Sequence, residues 1–348
     1  MRGSDGDRLP ARPRRPPVMS DVGRLAGVSH QTVSRVINGS SHVTPATRQR
    51  VMAAMQQLGY RPNPIARALV TGRSRTLGVV SFDTTLYGPA STLFGIERAA
   101  HAAGYFIIVA SLKALDRTSV GEAIVRLQLQ GVDGIMAISS DEESVDALRH
   151  ASADVPLVAV AAGPEAKVPV VAVDQLTGAM MATGHLLDLG HETVWHISGP
   201  SGSLESQRRV DGWRSRLEAS GRALPPVLTG DWSARSGYHL GRRLSRDTAV
   251  TAVFVANDQM ALGALRAMHE GARQIPHEVS VIGFDDIPEA PYFMPPLTTI
   301  RQDFGEVGSR SLRVLVQSIE TFTAGGSPSA GSMVEPELIV RASTAVRS

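Results

Sequence analysis

The sequence predicts an α/β protein in which a small all-α head precedes a core of two parallel-sheet lobes. Three observations predict it. Two short amphipathic helical stretches with a glycine between them span residues 19 to 38, eight short apolar runs alternate with helical stretches beyond residue 76, and the charge is divided sharply between these regions.

The charge division bounds the partners. Through residue 75 the chain holds thirteen Arg against three Asp, and beyond it 22 basic against 30 acidic residues. A basic head suits a polyanion, because Arg that neutralises phosphates releases condensed counterions. Residues 1–18, with Arg2, Arg8, Arg12, Arg14 and Arg15 among prolines, read as a disordered basic tail with no apolar stretch for a secretory signal. No apolar run approaches the roughly 18 residues of a membrane span, so no membrane partner is expected. The absence of cysteine rules out disulfides and thiolate chemistry and fits a reducing cytoplasm.

Residues 19–62 read as a helix-turn-helix domain. Ser20 is expected to cap a first helix that buries Val22, Leu25 and Ala26, Gly27 permits the turn, and Ser29 caps a second helix. On that second helix Val33, Val36 and Ile37 share one face while His30, Gln31, Ser34, Arg35 and Asn38 share the other. Gln can pair with adenine and Arg with guanine in a major groove, so this face is a candidate DNA reader; a merely wet polar face is the plainer alternative. Thr44 and Pro45 start a third helix, which Gly59 stops. Residues 63–75 read as a hinge helix and linker: Asn63 can start a two-turn helix too short to stand alone, with Arg67 and the apolar Leu69 and Val70 suited to wedging a minor groove.

Residues 76–348 form the core. The strand-like runs are Leu77–Ser81, Tyr105–Ala110, Gly134–Ile138, Leu157–Ala161, Thr193–Ile197, Val227–Thr229, Ala252–Ala256 and Val279–Phe284, with helical patterns such as Ser91–Ala103 between them. Such β-α crossovers force parallel strands, and ligands sit beyond the strands' carboxyl ends. Arg209 brings a guanidinium, Asn257 an amide and Asp285 a carboxylate after strand runs, and Trp232 a flat apolar face; together they suit the hydroxyls and C–H face of a sugar. Singly, Asp285 could cap a turn, Trp232 could be core, and Arg209 could pair with a surface acid.

AGVSHQTVSRVIN, GYRPNPIARAL, VANDQMALGALRAM, VSVIGFDD and YFMPPLTTIRQDF resemble segments of the LacI/GalR family of bacterial regulators, a resemblance spanning residues 19 to 345. It implies a two-lobed periplasmic-binding-protein-like core of parallel sheets with an N-terminal all-α helix-turn-helix head. It also implies a homodimer bound to double-stranded operator DNA through Ser29, His30, Gln31, Thr32, Ser34, Arg35, Asn38, Asn63, Arg67 and Leu69. A small carbohydrate effector, a β-galactoside by resemblance, is expected at Arg209, Trp232, Asn257, Asp285 and Gln302, with Leu86 and Pro89 in the N-lobe part of the pocket. The run LVAVAAG places Ala161 where the family member it most resembles has an aspartate, removing one hydroxyl contact. No heptad-patterned helix follows ELIVRASTAV, so a dimer rather than a tetramer is expected. No cofactor or metal is expected. A transport-type sugar-binding protein leaves the HQTVSR helix without a role, and an enzyme finds no G-x-S-x-G, P-loop or H-E-x-x-H motif.

Overall fold

The structure, a computed structural model, describes residues 15–37, 39–40, 42–61, 72–82, 84–112, 116–138, 141, 144–145, 147–148, 154–160, 168–323 and 331–347. Asn38, Asn63, Arg67, Leu69, Ala161, the expected hinge helix and the tail through residue 14 lie outside the described residues. The chain divides into two compact units, Met1–Ser74 and Arg75–Ser348.

In the first unit α1 (Met19–Ala26), α2 (His30–Ile37) and α3 (Pro45–Leu58) enclose a core of Val22, Ala26, Val33, Val36, Val51 and Ala54. The start of α1 departs from expectation: Ser20 lies inside the helix, and Asp21 Oδ2 instead accepts from the Val18 N–H at 3.0 Å. Leu25 is exposed rather than buried, because the core stripe of so short a helix is only wide enough for Val22 and Ala26. Gly27 takes φ 65°, the left-handed conformation that ends α1. Ser29 Oγ accepts from the Thr32 N–H at 3.2 Å, and Thr44 Oγ1 from Thr47 N–H at 3.3 Å, capping α2 and α3. Arg48 of α3 donates to the carbonyls of Val36 (3.4 Å) and Ser40 (2.8 Å), satisfying acceptors at the end of α2.

The second unit runs β1 (Thr76–Phe82), α4 (Tyr87–Ala102), β2 (Phe106–Leu112), α5 (Arg117–Leu129), β3 (Gly134–Ile138), β4 (Leu157–Val160), β5 (Val170–Val173), α6 (Gln175–Asp188), β6 (Trp195–Ser198), α7 (Leu204–Ala219), β7 (Leu228–Thr229), α8 (Ala234–Leu244), β8 (Ala252–Val255), α9 (Asp258–Glu270), β9 (Ser280–Ile282), β10 (Thr299–Arg301), α10 (Phe304–Thr323), β11 (Ser332–Val334) and β12 (Glu337–Ile339). One parallel sheet has the order β11-β5-β4-β3-β1-β2, the other β7-β6-β8-β9, and β10 pairs antiparallel with β12. Each expected strand is present, Gly134–Ile138 at both its expected ends and the others with ends shifted by at most two residues; β5 and the three-residue β10, β11 and β12 are additional.

The strand period of two distributes the N-lobe core. Val79, Met136 and Val158 join Ile96 of α4 and Leu315 of α10 on one face of the sheet; Val80, Ile135 and Ala159 join Ile124 and Leu127 of α5 on the other. In the C-lobe, Val253, Val255 and Val281 pack with Met260 and Met268 of α9, while Phe254 and Ile282 pack with Leu186 of α6 and Trp213 of α7. Strands β3 and β4 are buried along their whole length, as parallel strands covered on both faces must be.

The chain passes between the lobes three times: from β5 into α6, from β10 into α10, and from β11 into β12. The passages are stitched together. Asp174 N–H donates to the Val334 carbonyl at 2.9 Å, joining the first to the third, and Gln175 Nε2 donates to Gln302 Oε1 at 2.8 Å, joining the first to the second.

Candidate ligand cleft and DNA-facing helix

A cavity of about 280 Å³ lies between the lobes of the second unit, lined by the segment Thr85–Pro89 from one and by Glu205, Arg209, Trp232–Ala234, Asn257, Gln259 and Asp285 from the other, with Gln302 and Phe304 at a passage. Leu86, Pro89, Arg209, Trp232, Asn257, Asp285 and Gln302 therefore all meet at one cavity, although they are drawn from six separate stretches of chain.

Three of its polar lining residues, Arg209, Asp285 and Gln302, belong to a closed ring of side chains that Gln175 completes. Arg209 Nε donates to Gln175 Oε1 at 2.9 Å, Gln175 Nε2 to Gln302 Oε1 at 2.8 Å, and Gln302 Nε2 to Asp285 Oδ1 at 2.6 Å. Asp285 Oδ1 faces Arg209 Nη2 at 3.8 Å, which returns the circuit to its start. All four side chains are buried. Arg209 Nη1 also donates to the Ala256 carbonyl. Its guanidinium carbon stands 3.8 Å from the centre of the Phe284 ring and 5.5 Å from that of Trp232, where the ring quadrupoles favour a cation. Burial pushes the Asp285 carboxyl up to about 6, against the opposing pull of the Arg209 charge and the Gln302 hydrogen bond. The same loss of water lowers the pKa of Arg209.

Two cavity residues are held in backbone conformations that side chains rarely adopt: Trp232 at φ 71° and Asp285 at φ 115°. The Asp285 backbone is fixed by its N–H donating to the Ile300 carbonyl at 2.7 Å. Trp232 is held from two sides. Its carbonyl accepts from Asn257 Nδ2 at 3.1 Å, and its indole crosses so close to Gly199 that a Cβ there would fall 2.3 Å from the ring. Asn257 lines the cavity as expected and has structural partners besides: Nδ2 also serves Gln259 Oε1 at 3.0 Å, and Oδ1 caps α9 by accepting from Met260 N–H at 2.9 Å. It thereby also supports Trp232. Tyr87 and Phe304, with centroids 5.7 Å apart and edge-to-face, complete an aromatic wall.

Sequence reasoning missed Gln175 and Glu205. Gln175 stands two residues past β5, the post-strand position that holds ligand groups in such sheets, but that strand escaped notice. Glu205 precedes Arg209 by four residues on α7, so helical spacing aims both at the cavity. Its carboxyl is pushed up to about 7 by burial, with the Arg209 charge opposing and Asp285 assisting, although part of the side chain stays open to the cavity.

In the first unit, His30, Gln31 and Arg35 are exposed on α2, with Thr32 and Ser34 partly so and Ser29 at its start. Val33 and Val36 anchor the opposite face. Among the described residues no helix is long and apolar enough to cross a membrane, and no His, Asp and Glu cluster is arranged for a metal ion.

Residues 18–63 match the model for bacterial regulatory proteins of the lacI family, and residues 183–344 that for a periplasmic binding protein-like domain. Over 307 residues the chain is 34% identical to the lactose operon repressor of Escherichia coli (strain K12), a match covering 87% of this chain and 85% of that one. The chain belongs to the lacI family. This lacI-family protein is a DNA-binding transcriptional repressor, as its relatives are, and not an enzyme. It superposes on the lac repressor dimer bound to operator and the anti-inducer ONPF with a TM-score of 0.83 and 31% identity, covering 95% of this chain and all of that one. It also superposes on the transcriptional regulator CelR–cellobiose complex at a TM-score of 0.69 and 32% identity, covering 94% and 99%. The match of the head to a regulator family removes the transport-protein alternative.

Proposed function

We propose that this repressor binds a near-palindromic operator as a homodimer in the cytoplasm and is released from it by a small sugar held between the lobes. The observation that carries the sugar reading is the closed ring of Arg209, Gln175, Gln302 and Asp285 beside the aromatic wall of Trp232, Tyr87 and Phe304. Convergent donors and acceptors serve hydroxyls, and a flat apolar surface serves a sugar's C–H face. A β-galactoside is the first candidate, favoured by the lactose-operon relative; Ala161 argues for a ligand that makes fewer contacts to the N-lobe.

On the DNA side, Ser29, His30, Gln31, Thr32, Ser34, Arg35 and Asn38 would meet base edges and phosphates of a major groove. Asn63, Arg67 and Leu69 would order in the minor groove between half-sites. Dimer symmetry imposes operator symmetry. Because the sugar shifts the equilibrium only by its different affinity for the two states, sugar and operator affinities are reciprocally linked, by roughly 1–3 kcal/mol.

The test is fluorescence anisotropy of the full chain on symmetric and scrambled duplexes at physiological salt, with and without a panel of neutral mono- and disaccharides. Preference for a symmetric duplex that one sugar abolishes is the expected result. Equal retention on all duplexes rejects operator reading, and indifference to every sugar rejects the effector class.

A further inference from the structure

The charged groups lining the cavity are unequal in number. Arg209 is the one cationic side chain among its described lining residues, and its charge already faces a carboxylate: Nη2 stands 3.8 Å from Asp285 Oδ1, while Nε donates to Gln175, Nη1 to the Ala256 carbonyl, and Phe284 lies against one face. A bound anion would compete with Asp285 for that charge. Against it stand two lining carboxylates, Asp285 and Glu205.

Glu205 differs from Asp285 in having no hydrogen-bond partner among the described residues. A half-buried carboxylate without a donor is costly unless something that enters the cavity supplies one. Hydroxyl and ammonium groups supply it; phosphate and carboxylate groups instead add like charge where little water remains to screen it.

We propose that Glu205 makes this cavity selective by charge, admitting uncharged or amine-bearing sugars and refusing sugars that carry a phosphate or carboxylate. The inference rests on the sugar reading above and narrows it to a class. It identifies Glu205 as a specificity-determining residue that touches the ligand, and it places this repressor's signal on the unphosphorylated sugar, upstream of any phosphorylating step. Because burial holds the Glu205 carboxyl near 7, discrimination sharpens as the pH rises past neutrality.

The experiment uses the full chain at pH 8 and follows thermal stabilisation and calorimetric binding of two matched sets: galactose, galactosamine and galactose 6-phosphate, and glucose, glucosamine and glucose 6-phosphate. Each is run against wild type, Glu205→Gln and Glu205→Asp, with far-UV circular dichroism confirming that each variant is folded. The expected result is that a parent sugar and its amine bind wild type while the phosphate binds roughly a hundredfold more weakly or not at all, the scale of like-charge repulsion in a partly dry site. Glu205→Gln should recover phosphate binding about tenfold and lose preference for the amine, and Glu205→Asp should keep the wild-type order. A phosphate ester that binds wild type as tightly as its parent, or an unchanged order in Glu205→Gln, overturns the charge rule and leaves the sugar reading standing. No binding of any of the six sugars to any of the three proteins counts against both.

Discussion

Gln175 joins Arg209 to Gln302, accepting from the guanidinium at 2.9 Å and donating to the second amide at 2.8 Å. Both partners are buried, so the groups freed by removing Gln175 are poorly placed to regain water. In Gln175→Leu a donor on Arg209 and an acceptor on Gln302 are left unpaired, each costing about 1–3 kcal/mol. The expected outcome is a folded repressor that holds operator but needs at least tenfold more sugar for release, measured by anisotropy across a sugar titration; an unaltered release midpoint contradicts the ring's role.

Arg35 is exposed on α2 and well removed in sequence from the cavity residues. Arg35→Ala should lower affinity for the symmetric duplex by about 1–3 kcal/mol, leave scrambled-duplex affinity much less affected, and leave sugar affinity unchanged. Equal losses on both duplexes would assign Arg35 to phosphate rather than base contact.

Gly199 leaves the space that the Trp232 indole occupies. The Cβ of Gly199→Ala can be accommodated only by moving that ring, at an overpacking cost of about 1–3 kcal/mol. Sugar affinity should fall roughly tenfold with operator affinity retained. Trp232 fluorescence, compared with a Trp232→Phe background, should report the displaced indole directly.

His196 supplies a pH prediction. Its ring lies 4.5 Å from that of Phe254 and 5.6 Å from that of Trp213, its Nε2 has no hydrogen-bond partner among the described residues, and burial lowers its pKa from 6.5 to about 4. The unfolded chain therefore takes up a proton first as the pH falls, and folded stability is lost from about pH 6.5 down to about pH 4. His185 and His191 pull the same way, whereas the raised carboxyls of Glu205 and Asp285 act oppositely, so the decisive quantity is the difference from wild type. His196→Phe should be less sensitive to acid across that window in urea unfolding, whatever its stability at pH 8. Parallel curves would place the acid sensitivity elsewhere.

Much of the fold was legible because short apolar runs such as Leu77–Ser81 and Gly134–Ile138 recur between helical stretches, the alternation of a parallel sheet. The strands that escaped notice are short or follow a loop rich in alanine and proline, and their pairing comes from distant chain: β5 lies between β4 and β11, and β10 and β12 form a two-stranded sheet. Helix α4 starts at Tyr87 rather than Ser91, because the Gly88-Pro89 pair that reads as a turn falls in the first helical turn, where a missing N–H costs nothing. Of the ring, Arg209 and Asp285 could be named from their chemistry and Gln302 from family resemblance. Gln175 was hidden with the strand that precedes it. The commitment of Asn257 to Trp232 was invisible in sequence, since a positive φ at a tryptophan is fixed by tertiary packing and not by any local preference.

The stitching of the three passages bears on how the molecule can move. Gln302 lines the cavity, and through its hydrogen bond to Gln175 it also ties together two of the passages between the lobes. An occupant that pulled on the Gln302 amide would therefore act directly on the segments about which one lobe can turn against the other.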